Sequence, residues 1–314
     1  MHIEADMEDL VPNQIMVALD GSEKEQRALP VSLALANIAD SGLHLVRVIA
    51  PLSDRLSNQA ELIGLDPKRA PARRQAEEET AAVARSLTTQ SGRAVSWEVL
   101  DGSDVPLVLS TVARERDVRV VVMGTRAASA TGRAIRGSVA DRVMRECPKP
   151  VVLVPPGASD LRGKQIEIKR LLVPLDGSAL ASRSVDFLLD TIHTFDLELV
   201  LLEVVQNPAD APFMERRLQS AADRFHGRSA EAVPRIVPGV DVPKAIVAAV
   251  REFTSDLIAM STRGEGGLRR FVLGSVAEGV IRAAEVPVLL LTPAMLAAGA
   301  DADPSRELAP QSNA

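Results

Sequence analysis

The sequence predicts an α/β protein made of two tandem copies of one parallel-sheet unit, and three observations predict it. The first is an internal repeat. Asn13–Ser22 (NQIMVALDGS) returns as Lys169–Ser178 (KRLLVPLDGS), an offset of 156 that still holds at Arg27/Arg183, Leu45/Leu201 and Val48/Val204. The second is a later register with an offset of 137. It pairs Gly102, Asp104, Val105 and Pro106 with Gly239, Asp241, Val242 and Pro243, and Gly137-Ser138-Val139-Ala140 with Gly274-Ser275-Val276-Ala277. The halves are collinear, and the period is far too long for a solenoid. The third is the alternation of short, continuous apolar runs with amphipathic stretches, the pattern of βαβ units on a sheet buried on both faces.

The elements follow in order. Ile15–Leu19 is an uninterrupted apolar run ended by Asp20-Gly21-Ser22, and a helix is expected from Glu23 to Ala39. Leu43–Ile49 is the second strand. Gln75–Thr88 is rich in Ala and Glu and reads as a helix. Val95–Leu100 is the third strand, with Trp97 expected to pack in it. Pro106–Glu115 is a helix with proline in its first turn. Val118–Met123 is the fourth strand, Ser138–Arg145 a helix with one apolar face, and Val151–Val154 the fifth strand. The second half repeats the strands as Leu171–Leu175, Leu197–Val204, Ala232–Val237, Leu257–Met260 and Val286–Leu291. The two offsets differ by 19, so the first half carries a net insertion between Pro51 and Gly102, best placed at Leu52 to Arg74. The domains expected are residues 1–156 and 164–294, joined through the turn-rich Gly157–Gly163, with 295–314 a flexible tail of Ala, Asp, Pro and Ser.

Composition excludes several function classes. Among 314 residues, 36 Lys+Arg face 42 Asp+Glu, a net charge of −6 that gives no electrostatic reason to bind nucleic acid or anionic membrane. Residues 1–160 carry 19 basic and 22 acidic groups, so neither half is a charged docking arm. Aromatic residues make up 2%, too few for a base-stacking platform. No apolar stretch reaches the roughly 18–20 residues of a membrane span, and the start, MHIEADMEDL, is acidic where a signal peptide is basic and then apolar. The single Cys147 excludes an intrachain disulfide, and a cytoplasmic location is expected. Cys147 matches Ala284 in the repeat and reads as a small packed residue. His2, His44, His193 and His226 lack metal-ligand spacing, so no metal site is assigned.

Two loops carry the chemistry. One is Asp20-Gly21-Ser22 after strand one; the other starts at Gly124-Thr125-Arg126-Ala127 after strand four and reaches Gly137-Ser138 nine residues later. In an open parallel sheet, ligands sit beyond the strands' carboxyl ends where the strand order reverses. If strands one and four are neighbours there, the loops face one crevice. A helix opening at Gly137-Ser138 offers unpaired N–H groups and a positive dipole end to an anion. The Ser138 hydroxyl can cap that helix or bond a phosphate oxygen. Asp20 can accept from a ribose or hold a metal ion, or it can merely cap the next helix. Arg126 and Arg263 point either at phosphates or into solvent.

Strand–Asp-Gly-Ser near the start, and Gly-x-x-Gly-x9-Gly-Ser after the fourth strand, resemble the universal stress protein family in both halves. The resemblance implies two tandem doubly wound five-stranded parallel-sheet domains of strand order 3-2-1-4-5, the adenine nucleotide alpha hydrolase-like fold. It implies an ATP site in each half, possible Mg included: Asp20, Val48, Gly124, Arg126, Ala127, Gly137 and Ser138 in the first, and Asp176, Val204, Ser261, Arg263, Gly264, Gly274 and Ser275 in the second. Val48 and Val204 would lie against adenine. Each motif departs from the family pattern once, at Ala127 and at Ser261, so each site stands to be tested separately. Universal stress proteins pair their fifth strands into dimers. Here Val151–Val154 and Val286–Leu291 are expected to pair within one chain, which leaves a monomer or a further homodimer open. There is no P-loop, no Gly-x-Ser-x-Gly elbow and no evident base or nucleophile. The expected function is therefore an ATP-binding stress-response regulator. The alternatives are a slow ATPase or nucleotide-dependent transferase, and a structural interaction module with degenerate sites.

Overall fold

The computed structural model of the chain describes residues 13–22, 25–50, 69–125, 138–158, 166–191, 197–228, 230–262, 273–292 and 295. The first half runs β1 (Ile15–Leu19), α1 (Glu25–Ile38), β2 (Leu43–Ile49), α2 (Arg69–Ser91), β3 (Val95–Asp101), α3 (Val105–Glu115), β4 (Val120–Gly124), α4 (Ser138–Glu146) and β5 (Val151–Val154). The second runs β6 (Arg170–Pro174), α5 (Ala179–Thr191), β7 (Glu198–Val205), a 3₁₀ turn (Pro208–Asp210), α6 (Ala211–Asp223), β8 (Glu231–Pro238), α7 (Val242–Glu252), β9 (Leu257–Ser261), α8 (Ser275–Ala283) and β10 (Val288–Leu291).

All ten strands form one sheet, ordered β3-β2-β1-β4-β5-β10-β9-β6-β7-β8. Each half is thus a parallel sheet of order 3-2-1-4-5, doubly wound. The halves join where β5 and β10 pair antiparallel, with Val152 opposite Leu289. Two apolar edges that would otherwise invite association cover one another.

Side-chain alternation along the strands sorts the helices onto two faces. On one face, Leu45 packs with Ala28 and Val31 of α1 and Ala84 of α2, and Leu201 packs with Val185 of α5 and Leu218 of α6. On the other, Val46 and Leu202 share one core with Leu109, Val143, Ile246 and Val280 of α3, α4, α7 and α8. That second core is continuous across the β5–β10 seam. Asp104 and Asp241 cap α3 and α7 by accepting from Leu107 N and Lys244 N, each at 3.2 Å, with proline in the first turn of both helices.

Some boundaries differ from the sequence reading for physical reasons. β4 starts at Val120, because Val118 N donates to Ala113 O (3.2 Å) in closing α3. β10 starts at Val288, just past Pro287, which has no N–H to give the ladder. The insertion assigned to Leu52–Arg74 includes the start of a helix: α2 begins at Arg69 and has 23 residues where α6 has 13. Residues 51–68 lie outside the described residues. Trp97, expected to pack, is 39% exposed, because β3 is an outer edge of the sheet. Cys147 is fully buried, and burial raises its thiol pKa, as suits a packed rather than reactive residue. Of the expected tail, Met295 is buried beside Leu291, and the rest lies outside the described residues. No helix among the described residues is long and apolar enough to cross a membrane.

Candidate functional site

The two loops are brought together in each half by strand neighbours. β1 lies beside β4 with Ala18 opposite Met123, so Asp20 and Thr125 start adjacent loops two residues further on. β6 lies beside β9 in the same way, with Leu172 opposite Ile258. Both crevices open at the carboxyl ends of the strands, where the order reverses.

The Asp-Gly-Ser turns are built by local chemistry. Asp20 Oδ1 accepts from Ser22 N at 3.1 Å and also from the Ser22 hydroxyl, while Asp176 Oδ1 accepts from Ser178 N at 3.0 Å. Each is an Asx-turn. The helix cap in the second half is Ser178, whose hydroxyl accepts from Ala181 N at 3.1 Å; the aspartate does not fill that role. Both aspartates remain exposed. The central glycines take φ of +72° at Gly21 and +79° at Gly177, a left-handed conformation that side chains resist. A guanidinium also lies against each: a Cβ on Gly21 would sit 2.6 Å from Arg47, and one on Gly177 would meet Arg217.

Those two arginines come from different elements. Arg47 is on β2 and pairs with Glu79 of α2 at 2.6 Å. In the second half the strand position holds Glu203, which pairs with Arg217 of α6. The charges are exchanged between strand and helix, yet a guanidinium covers the turn in both. Sequence comparison offered a signal, since Arg47 and Glu203 stand at the 156 offset. Only packing shows that the partner helix reverses its charge to match.

The second loop is described at its ends. Gly124 closes β4, and Thr125 N donates to Val154 O at 3.0 Å. Arg27 of α1, 7% exposed, donates from Nη2 to the Thr125 carbonyl at 3.1 Å and ties that helix to the start of the loop. The sequence reading used Arg27 only as a repeat marker; the signal was an arginine at the head of an otherwise apolar helix. Its counterpart Arg183 is exposed. Ser261 closes β9, Thr262 N donates to Leu291 O (3.1 Å), and Gly274 N donates back to Thr262 O (2.8 Å). Gly274 is the N-cap of α8 with φ −64° and ψ 148°, and it makes no side-chain cap bond. Ser275 is the first helical residue, so the capping role considered for the serine of this motif does not hold there. The leading N–H groups of α8 have no acceptor within the helix. Ser138 is the first residue of α4.

Val48 and Val204 are half-buried, packed against the core formed with α3, α4, α7 and α8. Arg126, Ala127, Gly137, Arg263 and Gly264 lie outside the described residues. Among the described residues, no group of three His, Cys, Asp or Glu side chains is gathered as metal ligands would be.

Comparisons with known proteins agree with this architecture. The chain is 28% identical over 219 residues to Universal stress protein Rv1996 of Mycobacterium tuberculosis, covering 64% of this chain and 67% of that one. It is 23% identical over 290 residues to a universal stress protein of Mycolicibacterium smegmatis, covering 89% and 97%. In fold it matches the crystal structure of a universal stress protein from Archaeoglobus fulgidus with a TM-score of 0.62 at 23% identity, over 88% of this chain and 98% of that one. The profile of the universal stress protein family matches twice, over residues 12–155 and 167–292. With both halves matched, the chain belongs to the universal stress protein family.

Proposed function

We propose that this protein is a cytoplasmic stress-response regulator that binds ATP in the crevices between the Asp-Gly-Ser turn and the Gly-Ser helix start. The observation that carries this reading is the convergence in the second half. An exposed Asp176 and the uncapped N-terminus of α8 sit at neighbouring strand ends where the sheet order reverses. That donor set suits the group. Helix N–H groups and the dipole favour phosphate oxygens, and a carboxylate at a strand end accepts from ribose hydroxyls. Asp176, Gly274, Ser275 and Val204 would hold the nucleotide in the second half, and Asp20, Gly124, Ser138 and Val48 in the first. Bound ATP supplies a polyphosphate anchor that couples the two loops. The chain's own residues bind and orient it, and occupancy shifts the protein between signalling states.

The test is to denature freshly purified, unsupplemented protein and identify the released nucleotides by mass spectrometry with their molar ratio. Retained ATP, or a gain in thermal stability on adding ATP, is expected. About two per chain would make both halves functional despite Ala127 and Ser261, and about one would assign a single half. Neither retention nor stabilisation would overturn the reading.

A further inference from the structure

On the sheet face that carries α1 and α5, the seam between the halves is left open. The opposite face is closed there, because Val143 of α4 and Val280 of α8 share one core with Val151 and Leu290 of the seam strands. On the first face α1 lies over β1 and β4 and α5 over β9, and between the two helices runs an apolar groove with a cavity of about 100 Å³. Val152 and Leu289, opposite one another in the seam, line it, as do Ile38 of α1 and Phe187 of α5. Leu289 stays half-buried although β10 is a central strand of the sheet. Val120 and Leu257 line it as well, and both Val152/Leu289 and Val120/Leu257 are matched at the 137 offset. The groove therefore lies on the approximate twofold between the halves and exists only in the joined chain. None of the described residues assigned to the nucleotide crevices lines it.

The chemistry and size of the groove select its guest. Among the described residues that line it, all but Arg119 and Thr191 are apolar. Such a hollow gives water few partners, and an alkyl chain gains by leaving water for it. An apolar cavity of about 150 Å³ takes benzene. One of about 100 Å³ suits a narrower guest, a chain of a few methylene groups. A partner helix, about 10–12 Å across with its side chains, is too wide to enter. The polar end is set by Arg119, just before β4, which also lines the groove. It is exposed, and its guanidinium has no hydrogen-bond or ion-pair partner among the described residues. Arginine stems lie along apolar surface while the head stays at the water boundary, where it can pair with a carboxylate. At the matching position the second half has Asp256, which accepts from Lys169 N and Arg170 N at 2.8 and 2.9 Å and does not line the groove. The groove thus has one cationic end, and a bound chain has one direction.

We propose that the seam groove is a binding site for a short unbranched alkyl carboxylate, with the chain over Val152 and Leu289 and the carboxylate on Arg119. The test titrates the isotope-labelled full chain by NMR with butanoate and hexanoate, using hexanol and hexylammonium as controls at constant pH and ionic strength. Saturable shifts are expected at the amides of Val120, Val152 and Leu289. Hexanoate should bind about tenfold or more tighter than butanoate, at about fourfold per buried methylene. Hexanol should bind about tenfold more weakly than hexanoate, and hexylammonium more weakly still. Arg119→Gln should bring hexanoate down to the level of hexanol and leave hexanol unchanged. Ala39→Leu adds bulk at a half-buried position on the groove wall and should weaken both about tenfold or more while the spectrum stays dispersed. No saturable shifts, shifts confined to residues outside the groove, equal binding of butanoate and hexanoate or of hexanol and hexanoate, or hexanoate binding that survives both substitutions would overturn the proposal.

Discussion

The two halves of this chain share strand order, turn geometry and helix starts, yet they solve the same local problems with different chemistry. Over the Asp-Gly-Ser turn, the first half pairs Arg47 on the strand with Glu79 on the helix, and the second pairs Glu203 on the strand with Arg217 on the helix. Between β2 and β3, buried His44 binds Ser96 Oγ (2.8 Å) and Glu98 (2.7 Å), and Arg116 reaches Glu98 at 3.0 Å. At the matching places the second half has Val200, Arg235 and Phe253, with the Arg235 guanidinium 5.9 Å from the Phe253 ring. Where Arg142 of α4 chelates Asp104 of α3 at 2.8 and 2.9 Å, α8 has Gly279 packed against Pro243 of α7. The difference teaches that the fold fixes positions and the sign of the local problem. Side-chain pairs can then be exchanged as long as each is completed within its own half.

The largest contrast is expected at the exchanged ion pair. Arg217→Ala strands the carboxylate of Glu203, whose side chain is 3% exposed, and should cost about 3 kcal/mol. Glu79→Ala removes a partner that is 46% exposed and should cost under about 1 kcal/mol. Urea denaturation of the two variants measures this, and equal losses would break the comparison. Next come the turn glycines. Gly21→Ala and Gly177→Ala each force a side chain into left-handed backbone, at about 1–2 kcal/mol. The two should lose similar amounts, because the neighbour at each is the end of a flexible arginine side chain that can swing aside; the same urea curves compare them.

A smaller effect is expected at the helix contact. Gly279→Ala places a Cβ 2.7 Å from Pro243 and should destabilise by about 1 kcal/mol through overpacking. Arg142→Ala at the equivalent place should shift the thermal midpoint less, since both members of its pair are substantially exposed. The smallest effect is in pH dependence. Burial raises the Glu98 pKa, but the His44 hydrogen bond and the charges of His44 and Arg116 outweigh it and hold the carboxyl below its ordinary range. A depressed carboxylate contributes stability above its unfolded value, about 4.3, and loses it as pH falls through the folded value. Wild type should therefore lose under about 1 kcal/mol more than Glu98→Gln below about pH 4. Parallel pH–stability curves for the two proteins would remove Glu98 from the account.

Much of the fold was legible because its signals are local. β1, β2 and β5 fall at the residues expected: β1 and β5 are unbroken apolar runs, as strands buried on both faces should be, and β2 is an apolar run interrupted by His44 and Arg47. The Asp-Gly-Ser turns were legible because Asx-turn chemistry is contained within three residues. The early start of α2 was not, because Ala70, Pro71 and Ala72 carry no apolar period of their own. Arg27 was missed as well, since its partner is a carbonyl 98 residues away.

By itself, the sequence determined the duplication, the alternation of strands and helices, and the pairing of two motifs per half, because these depend on residue type and spacing. The intrachain pairing of β5 with β10 was expected from the family resemblance and is found; only the tertiary structure decided its antiparallel register and that Glu203 is buried against Arg217 of α6. Those outcomes depend on which face a helix covers and which side chain meets it there. Neither is written within the few residues over which a sequence signal extends.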